Sequence, residues 1–316
     1  MPIFILFIFV AIDNTAAMYM KKIIVLLLLI YSTLCNAQHY KHIGVESGLS
    51  SRKIYAIQKD ASGFMWFLTH EGVDRYDGKE FKHYTLSIDN KEISSLQDLN
   101  WLYIGKKGGL WQVGKKGRVF KYNFLRDEFK LAYQIPNIDE DDPTPITYSF
   151  IDNENNIWLC GEKVIYRYNH EDDSITEIPN ELESSITYAI QHDDNHFFVG
   201  TEDGIRYLEL NDNKINTIEI ENIENVSLQI NELYLDRPSN QLFIGTFQRG
   251  VYVYNLDTKE YKKLRIGIAD LTVTRITPLN DKEILIATDG AGVFKVNAQT
   301  YDSTPYIVAD YSENNM

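Results

Sequence analysis

The sequence predicts an all-β protein with the architecture of a β-propeller, in which small antiparallel sheets surround a central channel. Three observations lead to this prediction. Aromatic residues are frequent, with 21 Tyr and 15 Phe, and flat rings pack well on a pleated sheet. Apolar residues recur with a period of two, which is typical of strands. A similar stretch of sequence also recurs about every 44 residues.

Charge and cysteine content exclude several classes of protein. Asp and Glu number 45 against 31 Lys and Arg, so the formal net charge is -14. A surface with this charge repels a nucleic-acid backbone, and no nucleic-acid partner is expected. The two Cys residues cannot form a disulfide framework.

Residues 1–37 have the composition of a signal peptide. The basic pair Lys21-Lys22 precedes the apolar run 23–30, and small and polar residues follow up to Ala37. This order predicts export with cleavage after Ala37, and we expect a periplasmic protein. The apolar run is shorter than the ~20 residues of a membrane span, which makes a retained anchor the weaker alternative. Residues 1–19 are interpreted as a mis-assigned start.

A core motif recurs six times after the leader. Each copy has an apolar run, a Thr or its equivalent, a short polar turn, a Gly and a second apolar run. The copies lie near 64–76, 101–113, 156–168, 196–208, 241–254 and 283–296. The longest step separates the second and third copies, and we interpret its excess as the acidic insert from Asp139 to Pro145.

Two further strands flank each core motif. An apolar run precedes the motif, as in 186–190, and another follows it, as in 261–264. Four antiparallel strands in a repeat of about 44 residues form one propeller blade. The Gly before the third strand suits a tight turn, because Gly tolerates positive φ. The sequence therefore predicts six recognisable blades within residues 38–316.

Motifs of three familiar propeller classes are absent or incomplete in the sequence. It contains no Trp-Asp dipeptide, which argues against WD40 repeats, and only Gly108-Gly109 offers the Gly pair of a kelch repeat. The Asp box of sialidases needs an acid five residues before its Trp. Ala61 holds that position before Trp66, and Asp60 is one residue away.

The first blade resembles that of the two-component-regulator propellers, the periplasmic sensor region of hybrid two-component histidine kinases. The motifs that carry the resemblance are Gly48-Leu49-Ser50, Asp60-x-x-Gly63-x-x-Trp66 and Thr69-x-x-Gly72. The resemblance covers residues 40–316, although most later copies replace Trp66 by Tyr, Phe or Leu. It implies a sensor of oligosaccharides, joined in full-length relatives to a second propeller, an immunoglobulin-like domain, a membrane span, a kinase, a receiver and a DNA-binding module.

The resemblance also implies a ring of seven blades. The sixth copy supplies its own fourth strand near Pro305 to Ala309, which leaves the N-terminal run from Tyr40 to Ile43 without a partner. An open ring exposes an apolar face and an unpaired strand edge. We therefore expect an N-terminal fragment of a seven-bladed ring, and a genuine six-bladed protein is the alternative.

Candidate ligand-binding residues lie in the loops between second and third strands, on the face where the chain passes from blade to blade. These are His70, Glu71, Lys107, Glu162, Glu202, Arg249 and Asp289. Their mixed charges, together with nearby Tyr55, Tyr148 and Tyr188, suit hydrogen bonding and stacking on a sugar. Polar filling of exposed turns is the alternative interpretation. No catalytic motif, metal-ligand spacing or cofactor loop is present, so no catalytic residue, metal or cofactor is expected.

Three hypotheses about function follow. The first is a periplasmic sensor that binds an oligosaccharide or another small ligand without chemistry, and that forms a homodimer through the propeller in full-length relatives. Membrane contact is expected only through an uncleaved leader or a downstream part. The second is a secreted propeller glycoside hydrolase or lyase, which needs paired carboxylates or a metal in the channel. The third is a non-functional truncated gene product, which would show no cooperative unfolding.

Overall fold

The computed structural model describes residues 19–20, 22–24, 42–88, 91–93, 100–106, 108–136, 146–218, 220, 228–267 and 270–308. It divides into two compact units, Met1–Ile43 and Gly44–Met316. In the first unit, residues 19–20 and 22–24 are helical. Within the described part of the chain, no helix has the length and apolar character to cross a membrane. The predicted cleavage site after Ala37 lies outside the described residues.

Six four-stranded antiparallel sheets follow one another along the second unit. Blade 1 contains β1 Ile54–Lys59, β2 Met65–Thr69, β3 Gly72–Tyr76 and β4 Phe81–Tyr84. A short hairpin follows, made of β5 Leu86–Ile88 and β6 Lys91–Ile93. Blade 2 contains β7 Trp101–Ile104, β8 Leu110–Val113, β9 Arg118–Asn123 and β10 Glu128–Gln134. Blade 3 contains β11 Tyr148–Ile151, β12 Ile157–Cys160, β13 Val164–Asn169 and β14 Ser174–Pro179.

The last three blades repeat this arrangement. Blade 4 contains β15 Ile186–Gln191, β16 His196–Thr201, β17 Gly204–Asn211 and β18 Lys214–Ile218. Blade 5 contains β19 Ile230–Asp236, β20 Gln241–Thr246, β21 Val251–Asn255 and β22 Tyr261–Leu264. Blade 6 contains β23 Val273–Pro278, β24 Glu283–Thr288, β25 Gly292–Asn297 and β26 Ser303–Ile307. A 3₁₀ turn at Val45–Ser47 precedes blade 1. The prediction of six four-stranded blades is confirmed.

An Asp side chain closes the turn between the first and second strands in blades 1 and 3. Oδ1 of Asp152 accepts hydrogen bonds from the backbone of Glu154 and Asn156, and its Oδ2 accepts one from the indole of Trp158 at 2.9 Å. Asp60 makes the same set of contacts with Trp66 in blade 1. The Asp-x-x-Gly-x-x-Trp motif therefore joins a turn to a buried core residue.

Thr and Asx side chains close the other two turns of a blade. The hydroxyl of Thr201 donates to the carbonyl of Gly204 at 2.8 Å, and Thr246 and Thr288 do the same in later blades. At the end of the third strand, Asn255 accepts two backbone N–H groups of the following turn. Such local bonds explain why Thr, Gly and Asn recur at fixed positions in the repeat.

Apolar cores lie between successive blades. One buried cluster joins each pair of sequence neighbours, from blades 1 and 2 through blades 5 and 6. The largest fully buried side chains include Trp66 and Trp111, which belong to the clusters of blades 1 and 2 and of blades 2 and 3. Among the described residues, no buried cluster joins blade 6 to blade 1, and the first strand of blade 1 exposes Ile57.

The second blade corrects one prediction. The motif copy at 101–113 lies on the first and second strands of its blade, whereas the copies in the other blades lie on the second and third. The hairpin between the second and third strands runs instead through Lys115. Counted from Lys115, the steps to Thr69 and Gly161 are both 46 residues (115 minus 69 and 161 minus 115). The step between the second and third copies is long because the second copy lies one strand earlier in its blade than the other copies do. Our interpretation of the excess as an insert was wrong.

The Asp152 turn gives a prediction about stability. Asp152→Ala leaves the buried indole of Trp158 and two backbone N–H groups without their acceptor. We expect the free energy of unfolding to fall by about 3 kcal/mol, measured as a lower midpoint of urea denaturation at an unchanged slope.

Asp172→Ala is the matched control, because Asp172 is exposed and caps Ser174 in a surface turn. Its loss should stay below about 1 kcal/mol. Equal losses in the two variants would contradict the structural role of the Asp–Trp pair.

Candidate functional site

The first strands of the blades form the wall of the central channel. Each lies beside the first strand of the next blade, in the order β1, β7, β11, β15, β19 and β23. These strands begin at the end of the blade where the second and third strands are joined, since Ile230 pairs with Thr246 and Val273 with Thr288. Side chains near the start of the first strands therefore lie just beneath the face predicted to bind a ligand.

A row of polar side chains lies on five of these strands, in equivalent register positions on the last four. We call it the channel row, and it consists of Tyr103, Tyr148, Tyr188, Glu232 and Arg275. The last four are each opposite a small residue of the second strand, namely Cys160, Gly200, Gly245 and Ala287. In blades 4, 5 and 6 a register shift directly precedes the row residue.

Small residues are required opposite the row because neighbouring blades approach closely there. A Cβ added at Gly200 would lie 2.5 Å from the side chain of Ile230, and one at Gly245 would lie 2.6 Å from Val273. Ile230 and Val273 belong to the first strands of the next blades. The Gly-Thr pair of the repeat therefore has two roles: the Gly admits the neighbouring blade, and the Thr closes the hairpin.

Glu232 is the carboxylate of the channel row. Its residue is only 3% exposed, and its Oε1 accepts a hydrogen bond from the hydroxyl of Tyr188 at 2.9 Å. A guanidinium nitrogen of Arg275 lies 3.6 Å from the same oxygen. Burial raises the pKa of Glu232 to about 7, although Arg275 and Tyr188 act in the opposite direction. A proton on this buried acid is therefore exchanged near neutral pH.

The tyrosines of the row form a connected aromatic wall. The ring centroids of Tyr148 and Tyr188 are 5.4 Å apart, and Trp101 meets Tyr148 edge-on at 6.3 Å. The hydroxyl of Tyr103 donates to the backbone carbonyl of Ser149. Burial raises the pKa of Tyr103 and Tyr148 well above the usual range, so both hydroxyls stay protonated.

Most of the sequence-predicted site residues lie at one end of the blades. His70, Glu71, Glu162, Glu202, Arg249 and Asp289 all belong to the hairpins that join second and third strands. A hydrogen bond of 3.1 Å joins Nδ1 of His70 to the hydroxyl of Tyr55. The other five residues are exposed. We call this set of hairpins the rim.

Blade 2 departs from the predicted arrangement. Lys107 lies outside the described residues, but its neighbour Lys106 bonds to Asn153 and Asn155. Those residues form the turn between the first and second strands of blade 3, at the end opposite the rim. The prediction that this hairpin joins the second and third strands was wrong, because the motif of blade 2 is displaced by one strand. Lys115 and Lys116 occupy the rim position instead.

Two of the predicted residues meet at one cavity. Glu202 of blade 4 and Arg249 of blade 5 line a cavity of about 520 Å³, together with Leu228, Gln229, Phe247 and Gln248. His70, Glu162 and Asp289 are not among its lining residues. The rim therefore offers one acid and one base at a shared cavity, and the other predicted residues are distributed around it.

Three members of the channel row were not predicted from the sequence, namely Tyr103, Glu232 and Arg275. A usable signal was present for two of them, because Glu232 and Arg275 are charged residues inside the otherwise apolar strand runs 228–235 and 273–279. Within the described residues, no group of three or more His, Cys, Asp or Glu side chains has a metal-binding arrangement. Cys160 is buried, and burial raises its thiol pKa to about 12.

Comparison with known proteins identifies the fold but not a sequence family. No protein-family model matches the chain, and no curated protein matches its sequence. The extracellular domain of a hybrid two-component system from B. thetaiotaomicron has a TM-score of 0.65 and 22% identity; the match covers 86% of this chain and 37% of that one. The extracellular domain of a one-component system from the same organism has a TM-score of 0.66 and 20% identity, with coverage of 86% and 35%.

The chain thus spans about a third of the length of these two structures. Virginiamycin B lyase from Staphylococcus aureus has a similar fold at a TM-score of 0.62 and 14% identity, and the match covers 81% of this chain and 85% of that one. The predicted resemblance to the extracellular propellers of two-component systems is confirmed at the level of the fold. The same fold also accommodates an enzyme.

The buried acid of the channel row gives a prediction about pH dependence. Between about pH 4.5 and 7, folded Glu232 keeps a proton that the unfolded chain has released. The free energy of unfolding therefore decreases as the pH rises through this range. Glu232→Gln removes the titration and keeps an oxygen acceptor for Tyr188. We expect its urea-unfolding free energy to depend less on pH and to exceed that of wild type above pH 7 by at least about 1 kcal/mol.

Glu162→Gln provides the control, since Glu162 is an exposed acid of the rim. It should leave the pH dependence of unfolding unchanged. If Glu232→Gln and wild type lose stability equally between acid and neutral pH, Glu232 does not carry the proton assigned to it.

Proposed function

We propose that this chain is an exported sensor propeller of a hybrid two-component signalling protein, and that it binds a small ligand without transforming it. The observation that carries the proposal is the channel row, a set of aromatic and charged groups directly beneath a polar rim. Such a combination suits recognition, because a few placed polar groups orient a ligand on a largely apolar wall. The extracellular domains with the same fold are consistent with this role.

An oligosaccharide is the ligand class that these groups suit best. Sugar hydroxyls both donate and accept hydrogen bonds, and the apolar faces of sugar rings stack on aromatic side chains. Glu202 and Arg249 at the shared cavity offer an acceptor and a donor. Tyr148 and Tyr188 provide adjoining rings. Binding would be pH-dependent if the ligand contacts Glu232, because the acid exchanges its proton near neutral pH.

The chain is proposed to act as part of a larger assembly. The two extracellular domains with a similar fold are about three times as long as the matched region. In that setting the kinase and the DNA-binding module lie elsewhere, the propeller is periplasmic, and a homodimer through the propeller transmits the signal. A catalytic residue, a metal and a cofactor play no part in this proposal.

A propeller lyase or hydrolase is the second candidate function. Glu232 favours it, because a carboxyl group with a pKa near neutrality beside a tyrosine hydroxyl is suited to general acid–base catalysis. The lyase with a similar fold also favours it. The channel row contains a single carboxylate, however, whereas most glycosidases need two carboxyl groups about 5–10 Å apart.

Isothermal titration calorimetry against a panel of neutral and acidic oligosaccharides tests the proposal. We expect saturable binding to at least one sugar, with no product detected by chromatography after prolonged incubation. Arg249→Ala and Tyr188→Phe should each weaken that binding by about three- to tenfold, which corresponds to the loss of one hydrogen bond.

Tyr261→Phe is the matched control, because Tyr261 lies on the outermost strand of blade 5 and should not affect binding. Absence of binding to every sugar by a protein that unfolds cooperatively would contradict the proposed ligand class. Product formation that Glu232→Gln abolishes would favour the lyase or hydrolase instead.

A further inference from the structure

The rim hairpin of blade 5 carries an aromatic side chain that is open to solvent. Phe247 follows Thr246 in this hairpin, and 44% of its surface is exposed. The rim hairpins of the other five blades carry polar, charged or small residues at the corresponding positions, namely His70-Glu71, Lys115-Lys116, Glu162-Lys163, Glu202-Asp203 and Asp289-Gly290-Ala291. A phenyl ring on the rim is therefore particular to blade 5.

The backbone around Phe247 is held by the segments that lead into two blades. Its N–H donates to the carbonyl of Gln229 at 2.9 Å, directly before β19. The N–H of Gln248 donates to the hydroxyl of Thr272 at 3.1 Å, directly before β23. Gln248 has a positive φ of 54°, which a residue other than Gly adopts at some cost. The backbone that carries the phenyl ring is thus ordered before any ligand binds, which lowers the entropic cost of binding.

Polar side chains without partners lie around this ring. Glu202, Gln229 and Arg249 line the same cavity of about 520 Å³ as the ring does. None of these three side chains forms a hydrogen bond or an ion pair with another residue of the described part of the chain. The adjacent acid Asp203 differs, because it pairs with Arg206 at 3.0 Å. The cavity therefore offers free donors and free acceptors beside an aromatic surface.

The charges among the lining residues balance each other. Glu202 is the acid and Arg249 is the base of the cavity. An anionic ligand would be attracted by Arg249 but repelled by Glu202, in a chain whose net charge is -14. A neutral ligand with hydroxyl groups satisfies both, because a hydroxyl donates to a carboxylate and accepts from a guanidinium. The chemistry of the cavity therefore favours a neutral polyhydroxylated ligand.

We propose that Phe247 is the stacking platform for one pyranose ring of a neutral saccharide, whose hydroxyl groups bind Glu202 and Arg249. A phenyl ring offers a large apolar surface at a low cost in conformational entropy, which suits the apolar face of a sugar. Tyr148 and Tyr188 do not line this cavity, so the sugar ring is assigned to the rim and not to the channel row. The inference rests on the proposed function, because it names the position and the charge class of that ligand.

Calorimetry with matched trisaccharides tests the charge class. Galactotriose is compared with tri(galacturonic acid), and cellotriose with its C6-oxidised form, so each pair differs only in the carboxylates. We expect the neutral member of at least one pair to bind more tightly, and Glu202→Gln to reduce this preference about fivefold because it removes the repulsion. Glu162→Gln is the control, since Glu162 is an exposed rim acid that does not line the cavity, and it should leave the preference unchanged.

Substitutions of Phe247 test the stacking role. Phe247→Ala should weaken binding of the preferred trisaccharide at least about tenfold, because it removes the apolar platform. Phe247→Trp should retain the affinity within about threefold, and its fluorescence should shift with the same midpoint as the calorimetric titration. The new signal can be followed because Trp66, Trp111 and Trp158 are buried. Phe124→Ala removes a phenyl ring that is 56% exposed on blade 2 and should leave binding unchanged.

The urea midpoint of each variant should equal that of wild type, which shows that a loss of binding is not a loss of folding. Wild-type affinity in Phe247→Ala, with weakened binding in Tyr188→Phe, would assign the sugar to the channel row; the proposed function would then stand and this inference would fail. Tighter binding of the acidic member of each pair would also overturn the inference alone. Absence of binding to every trisaccharide would contradict the inference and the proposed ligand class together.

Discussion

Burial between neighbouring blades is the constraint on which the rest of this structure depends. A four-stranded sheet has two faces, and most apolar side chains on those faces leave water only when another blade covers them. Five buried clusters join the six blades in sequence order. The repeat length follows from this constraint, because each repeat must supply one sheet of the right width to fill the space beside its neighbour.

Close packing at the centre of the blades in turn determines which residues the repeat can use. The first strand of the next blade lies against Gly200 in blade 4 and against Gly245 in blade 5. A Cβ on either glycine would collide with that strand. The side chains opposite these glycines, Tyr188 and Glu232, contact the row residue of the next blade. The requirement for a small residue in the second strand and the presence of the channel row on the first strand are therefore two results of one packing geometry.

This geometry places the candidate site within the packing between blades. The turns depend on local bonds such as those of Asp152 and Thr201, and the blades depend on apolar cores. Tyr103, Tyr148 and Tyr188 of the channel row pack against three of these cores, and burial raises the pKa of Glu232.

Local sequence was sufficient to predict the strands, the number of strands in each blade and the number of blades. Period-two runs and turn residues such as Thr201 and Asn255 act within a few positions of the chain, so their effect can be inferred without knowing the fold. The rim residues Glu202 and Arg249 could be predicted for the same reason, because they lie in hairpins that the repeat pattern identifies. The position of a strand within its blade could not be predicted from local sequence. The Gly-Leu-Trp hairpin of blade 2 resembles the hairpins of the other blades, and only its packing against blades 1 and 3 assigns it to the two inner strands. The pairing of Glu232 with Tyr188 and Arg275 was decided in the same way, because these residues are more than forty positions apart and meet only after three blades have packed side by side.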